Sequence, residues 1–236
     1  MWSTISGKKH HYGILLFLLT FLSMRAFAQG INPRITFLGG ASLLSGSRSF
    51  VVGPSVFATQ FNNGVKIGVR GTANVAEHWG AEGTYSFSSN GLQVTRVAPA
   101  AVQTFGVHVH QITGNALYFF TARDRTFRPF VTAGVGVSRY SPTSDAKVAA
   151  AQNFLDQPAV LAGTSSFNFN FGGGMELKPW DHFGVRLDLR DHVTAIPRFG
   201  LPQTATSPTA PFFPISGQAQ DFEITTGLTY YFAGGK

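Results

Sequence analysis

The 236-residue sequence contains no cysteine. This excludes disulfide staples, zinc ribbons, iron–sulfur sites and cysteine nucleophiles. Charge is also scarce: Asp, Glu, Lys and Arg make up 12% of the chain, against ~25% in an average soluble domain. So thin a charge cover argues against an ordinary soluble helical or α/β enzyme. Long hydrophobic runs are missing as well, because the most apolar stretch, residues 13–22 (GILLFLLTFL), falls short of the ~20 residues that a membrane-spanning helix needs. The formal net charge of +7 has no concentrated source: Lys8, Lys9 and Arg25 supply three units, leaving +4 spread over the remainder. Without a Lys/Arg-rich run or an arginine stripe interleaved with aromatics, nucleic acid is not an expected partner.

What is abundant is glycine and phenylalanine, 27 and 23 residues respectively. The basic start, the short apolar run and Ala26-Phe27-Ala28 read as a secretory signal peptide over residues 1–28,. The remainder, 29–236, is then one exported domain.

Its hydrophobicity has a period of two. In 167–177, Phe167, Phe169, Phe171, Met175 and Leu177 fall on one face of a strand, and Asn168, Asn170, Gly172, Gly174 and Glu176 on the other,. The same alternation runs through 65–75, 79–88, 183–193 and 222–232, and strands are also legible at 35–44, 108–120 and 129–140, the facing of 108–120 being ambiguous. Eight strands of this length suit a tilted crossing of a hydrocarbon layer, which takes ~9–11 residues. The links at 76–78, 121–128 and 178–182 are short, whereas those at 45–64, 89–107, 141–166 and 194–221 are long and rich in Ser, Pro, Thr and Gly. Strict alternation of short and long links predicts an all-β, antiparallel up-and-down barrel of eight strands.

A soluble lipocalin-like barrel would turn its apolar face inward, and periodicity cannot separate the two cases. The polar face can. It carries much glycine and a balanced set of charges: Lys66, Arg70, Arg186 and Arg190 against Glu82, Glu176, Asp188 and Glu223. Small and mutually neutralising side chains fit a narrow lumen, and each lipid-facing Arg or Lys near the midplane would cost ~2–4 kcal/mol. The apolar face therefore meets lipid, with Trp79, Tyr118, Phe130, Tyr140, Trp180, Phe183, Tyr230 and Phe232 expected as interfacial girdles.

The runs 128–136 (RPFVTAGVG), 183–191 (FGVRLDLRD) and 227–232 (GLTYYF) resemble the eight-stranded outer-membrane β-barrel proteins of Gram-negative bacteria, in particular the transmembrane domain of outer membrane protein A. The resemblance implies location in the outer membrane, contact with its lipid and lipopolysaccharide, insertion by the barrel-assembly machinery, and a monomer offering four long loops to an extracellular ligand. It implies an architecture rather than a reaction. Two departures stand out: the family's usual terminal aromatic is followed here by Ala233-Gly234-Gly235-Lys236, and no periplasmic cell-wall-binding domain is expected after the barrel.

No catalytic, cofactor or metal site is expected. The lumen charges could form a gated ion path, but an eight-stranded barrel is just wide enough for side chains to fill it, which favours a structural, salt-bridged plug. His192, Thr194 and Glu223 resemble the His-x-Ser-Asn and glutamate arrangement of lipid A deacylases only poorly, since Thr194 and Ala195 stand for Ser and Asn,. His108 and His110 point the same way on a strand but lack a third ligand. The glycines at 172–174 and at 134 and 136 precede no helix, so they are not nucleotide loops,. Residues 145–156 read as a short helix in the third long link.

Overall fold

The computed structural model describes residues 32–207 and 210–232. The signal-peptide expectation for 1–28 and the four residues after Phe232 lie outside the described residues.

Nine strands and one helix follow in chain order: β1 (Pro33–Ser45), β2 (Arg48–Val52), β3 (Ser55–Asn74), β4 (Trp79–Arg96), β5 (Ala101–Phe119), β6 (Phe127–Pro142), α1 (Ser144–Gln152), β7 (Thr164–Leu177), β8 (Phe183–Ala195) and β9 (Gln218–Tyr231). Each pairs antiparallel with its neighbours, and β1 pairs both with β9 and with β3, which closes the sheet. Closure leaves the eight-stranded ring without a free edge, so its backbone donors do not face an apolar surround; β2, above the ring, pairs with β3 alone,. Eight strands form the ring. β2 continues the line of β1 along the upper part of β3, pairing Arg48 with Thr59 where β1 stopped at Ser42 opposite Gly64.

The three short links fall where the sequence placed them. In two of them a histidine ties the turn to the strand beyond the hairpin: His78 Nδ1 donates to the Phe119 carbonyl of β5 at 2.8 Å, and His182 Nδ1 to the Tyr231 carbonyl of β9 at 3.2 Å.

The long links differ from expectation. β3, β4 and β5 run 20, 18 and 19 residues, nearly twice the ~9–11 that cross a bilayer. Most of 45–64 and 89–107 is therefore strand that continues past the membrane. Alternation was read as apolar-out and polar-in, and beyond the membrane that polarity inverts: Phe57, Phe61, Leu92, Val94, Phe105, Val107 and Val109 point inward and are buried. A bulge between Asn62 and Val65 also shifts the facing of β3 by one residue, so parity read upward from Val65 gives the wrong face above it,.

The interior is layered along the axis. At the short-turn end Leu117, Phe119 and Phe130 form a small apolar floor. The middle is polar. At the long-loop end a larger apolar core joins the inverted strand residues to Ala146 and Ala150 of α1, to Phe154, Leu155 and Leu161 after it, and to Ile196, Phe199, Leu201, Phe213 and Ile215 of the β8–β9 link. These links are thus a folded cap. The helix begins at Thr143, whose hydroxyl accepts from the Ala146 amide, and lays its two small residues onto Phe105-side packing.

The outer wall carries the opposite surface. Phe37, Ile67, Ile112, Val135, Phe167, Phe171, Leu189, Ile224 and Leu228 are all exposed on it. So continuous an apolar belt far exceeds what a soluble monomer shows. Among the described residues no helix is long and apolar enough to cross a membrane.

Candidate functional site

All eight lumen charges anticipated from the sequence are buried in the middle layer. β3 brings Lys66 and Arg70, β4 Glu82, β7 Glu176, β8 Arg186, Asp188 and Arg190, and β9 Glu223. Because the ring is narrow, residues far apart in sequence meet across it. Arg186 reaches Glu82 at 2.8 Å, Asp188 at 2.9 Å and Glu176 at 3.3 Å. Arg190 reaches Glu82 and Asp188, each at 2.8 Å. Arg70 lies 2.6 Å from Asp188 and is also paired with Glu223. Lys66 then bridges Glu223 at 3.1 Å and Asp221 at 2.8 Å.

Further polar groups belong to this network and were not singled out, among them Arg34, Arg128, Asp221, Gln111 and Asn115. Arg34 binds Glu176 at 2.8 Å, and Gln111 binds both Lys66 and Asp221, at 2.9 and 3.1 Å. For Arg34, Arg128 and Asp221 the missed signal is parity carried one step past the apparent strand ends, since Arg34 continues the inward row of Thr36 and Asp221 that of Glu223; Gln111 and Asn115 lie inside β5, whose facing is ambiguous in the sequence. Glycine makes the room. A Cβ on Gly174 would strike the Leu187 carbonyl and come within 2.8 Å of the Phe130 ring, and one on Gly172 would meet Arg190.

The weaker candidates resolve by position. His192 lies in the lumen, its Nε2 3.2 Å from Glu223 Oε2, while the Thr194 hydroxyl pairs with that of Tyr140 at 2.7 Å instead. All three groups are buried under the cap, where no lipid chain reaches. His108 and His110 face outward, each tilted against Phe87 at ring distances of 5.2 and 5.1 Å. Among the described residues no group of three or more His, Asp or Glu is placed to hold a metal ion.

The girdle needs correction at two positions. Trp79, Tyr118, Trp180, Phe183, Tyr230 and Phe232 are exposed near the short turns, in edge-to-face pairs such as Trp79–Tyr118 at 5.2 Å and Tyr230–Phe232 at 5.2 Å. Phe130 and Tyr140 are buried instead. Both take the inward row of β6, where they close the floor and join the cap; their aromatic character reflects the apolar ends of the lumen and not the lipid interface.

A closed antiparallel ring with an apolar outside and a charge-paired inside is the architecture of an outer-membrane barrel, and the model of the outer membrane protein beta-barrel domain family matches residues 14–232. The chain belongs to this family. It is therefore an outer-membrane protein of a Gram-negative envelope, with its short turns in the periplasm and its cap outside the cell. Similar solved structures include Neisserial surface protein A (9% identity, TM-score 0.47, covering 86% of this chain and 98% of that one). OprG from Pseudomonas aeruginosa is 15% identical with a TM-score of 0.48, covering 86% of this chain and 94% of that one. Ail of Yersinia pestis, solved with the heparin analogue sucrose octasulfate, is 10% identical with a TM-score of 0.43, covering 85% and 99%. No curated protein matches the chain.

Outside the cell, Val51, Val56, Val97 and Val102 are exposed at the tips of the extended hairpins. They are neighbours: Val51 pairs with Val56, and the Val97 amide donates to the Val56 carbonyl at 2.9 Å. The Arg96–Asp156 ion pair, 2.7 Å, fastens this sheet to the segment after α1. The cap thus presents a fixed surface with an apolar edge.

Proposed function

We propose that this protein is a non-catalytic barrel that presents a rigid extracellular surface, serving adhesion or envelope integrity, while its lumen charges clamp the strands together. The observation that carries this reading is the filled interior: the lumen charges pack against one another beneath an apolar cap and are almost without solvent exposure. An ion path would leave them wet. The extracellular ligand is expected to engage the apolar edge around Val56 and Val97, because contiguous exposed apolar groups on an ordered scaffold are the usual core of a docking surface. Residues 1–28 are read as the export signal, and the assembled barrel as a monomer in contact with lipopolysaccharide. The lumen charges bear on the alternative of a small channel, and planar-bilayer recording tests it: the refolded protein is expected to be electrically silent, and reproducible unitary conductance would overturn the proposal. Unchanged lipid A on mass spectrometry after overexpression is the expected result for a non-enzyme.

A further inference from the structure

We infer that the periplasmic mouth of the barrel is a binding site for a phosphate group. The first observation is a charge imbalance. The lumen holds six buried cations, Arg34, Lys66, Arg70, Arg128, Arg186 and Arg190, against five carboxylates, Glu82, Glu176, Asp188, Asp221 and Glu223. Five of the cations have a carboxylate oxygen within 2.8 Å. Arg128 is the sixth. Its closest carboxylate oxygen, Glu176 Oε2, is 4.0 Å away, and its Nε and Nη2 have no hydrogen-bond partner although the residue is only 5% exposed. A buried guanidinium with unmade bonds is costly, because its donors have given up water without gaining an acceptor.

The second observation is where this group sits. Arg128 is held flat on Phe119, 3.9 Å from the ring centre, and lines a cleft of about 30 Å³ at the barrel mouth together with Arg123 and Lys178 from two periplasmic turns. That volume takes two or three water-sized groups at ~10–15 Å³ each. Lys178 Nζ lies 4.7 Å over the Tyr231 ring and makes no ion pair among the described residues. Arg123 is oriented by the Ala76 carbonyl, 3.3 Å from its Nε. Among the described residues lining the cleft the only carboxylate is Glu176, whose Oε1 accepts from Arg34 and Arg186 and whose Oε2 has no hydrogen-bond partner. Three cations lining one cleft suit a doubly charged anion better than a single carboxylate. The Nε and Nη2 edge of a guanidinium is the two-donor fork that fits a pair of phosphate oxygens.

Trp79, Tyr118, Trp180 and Tyr230 mark the periplasmic interface at the same end,. The phosphate therefore comes either from a phospholipid head group of the inner leaflet or from free phosphate in the periplasm.

The test uses the full chain refolded in a phosphate-free maltoside detergent, with the arginine Nε–Hε resonances followed by NMR. One arm titrates inorganic phosphate, and a second adds phosphatidylglycerol, with a phosphate-free glycolipid as its blank. A saturable shift of the Arg128 resonance in the first arm assigns a free-phosphate site; a shift in the second arm alone assigns the head group. Arg128→Met should weaken either response by about tenfold to a hundredfold, as loss of a charge-assisted pair implies. Arg139→Met, on the outer wall at the opposite end, should leave it unchanged. If Arg128→Met fails to fold, Lys178→Met gives the same comparison. Absence of a saturable response to both ligands, or an unaltered response in a folded Arg128→Met protein, overturns the inference.

Discussion

Glu82→Gln is the sharpest perturbation of the lumen. The carboxylate of Glu82 contacts Arg186 and Arg190 at 2.8 Å each and Arg70 at 3.7 Å, and accepts from the Thr72 hydroxyl at 3.1 Å. At an effective dielectric constant of ~20, one ion pair at 2.8 Å is worth roughly 6 kcal/mol before desolvation. Most of this is offset by the cost of burying the ions. What the variant exposes is the difference, an uncompensated cation in a dry interior, for which breaking a buried pair costs about 3–5 kcal/mol. Glutamine keeps the shape and one acceptor, which sets the expectation near 3 kcal/mol. Urea unfolding in lipid vesicles, read by tryptophan fluorescence and by heat-modifiable gel mobility, measures it. Combining Glu82→Gln with Arg190→Met should recover part of the loss, since the pair is then removed together. A Glu82→Gln barrel within ~0.5 kcal/mol of the parent, the ordinary range for a surface change, would refute the clamp. Conductance appearing on the same substitution would recast the cluster as a gate.

Three other outcomes follow from the layered interior. Leu92→Ala opens a void where the inverted β4 meets the cap, so unfolding should become easier by about 2–5 kcal/mol, with limited proteolysis newly cutting the 196–217 link. Gly174→Ala places a Cβ against the Leu187 carbonyl and the Phe130 ring and should cost about 1–3 kcal/mol by overpacking, visible as a lower urea midpoint. Val135→Arg sets a charge midway along the lipid-facing row of β6, where about 2–4 kcal/mol is expected; the same substitution at exposed Val97 in the cap should fall within ~0.5 kcal/mol.

The membrane-crossing parts of β3, β4, β7, β8 and β9 were readable because one physical rule acts on them; the facing of β5 is ambiguous in the sequence. Lipid outside and a crowded polar lumen inside force strict alternation, and Phe167 to Leu177 or Phe183 to Val193 obey it residue by residue. Arg34, Arg128 and Asp221 were missed because each stands at a strand end, where one more step of parity was needed. The cap was missed for a different reason. Once β4 leaves the membrane its outer face meets water and its inner face meets Phe57, Phe105 and the loop residues, so Leu92 and Val94 turn inward and the apolar-out rule reverses. The bulge at Asn62–Val65 adds a shift of facing with no signature in composition.

By itself, then, the sequence determined the class, the number of crossing strands and the eight charges first assigned to the lumen, since these depend on a local period of two and on the sign of each face. The pairing of Glu82 with Arg186 and Arg190, the closure of β1 on both β3 and β9, the folding of the long links into a cap and the isolation of Arg128 at the mouth were decided by tertiary structure. Each depends on which residues meet across a closed ring, a relation between positions tens to nearly two hundred residues apart that no local pattern encodes.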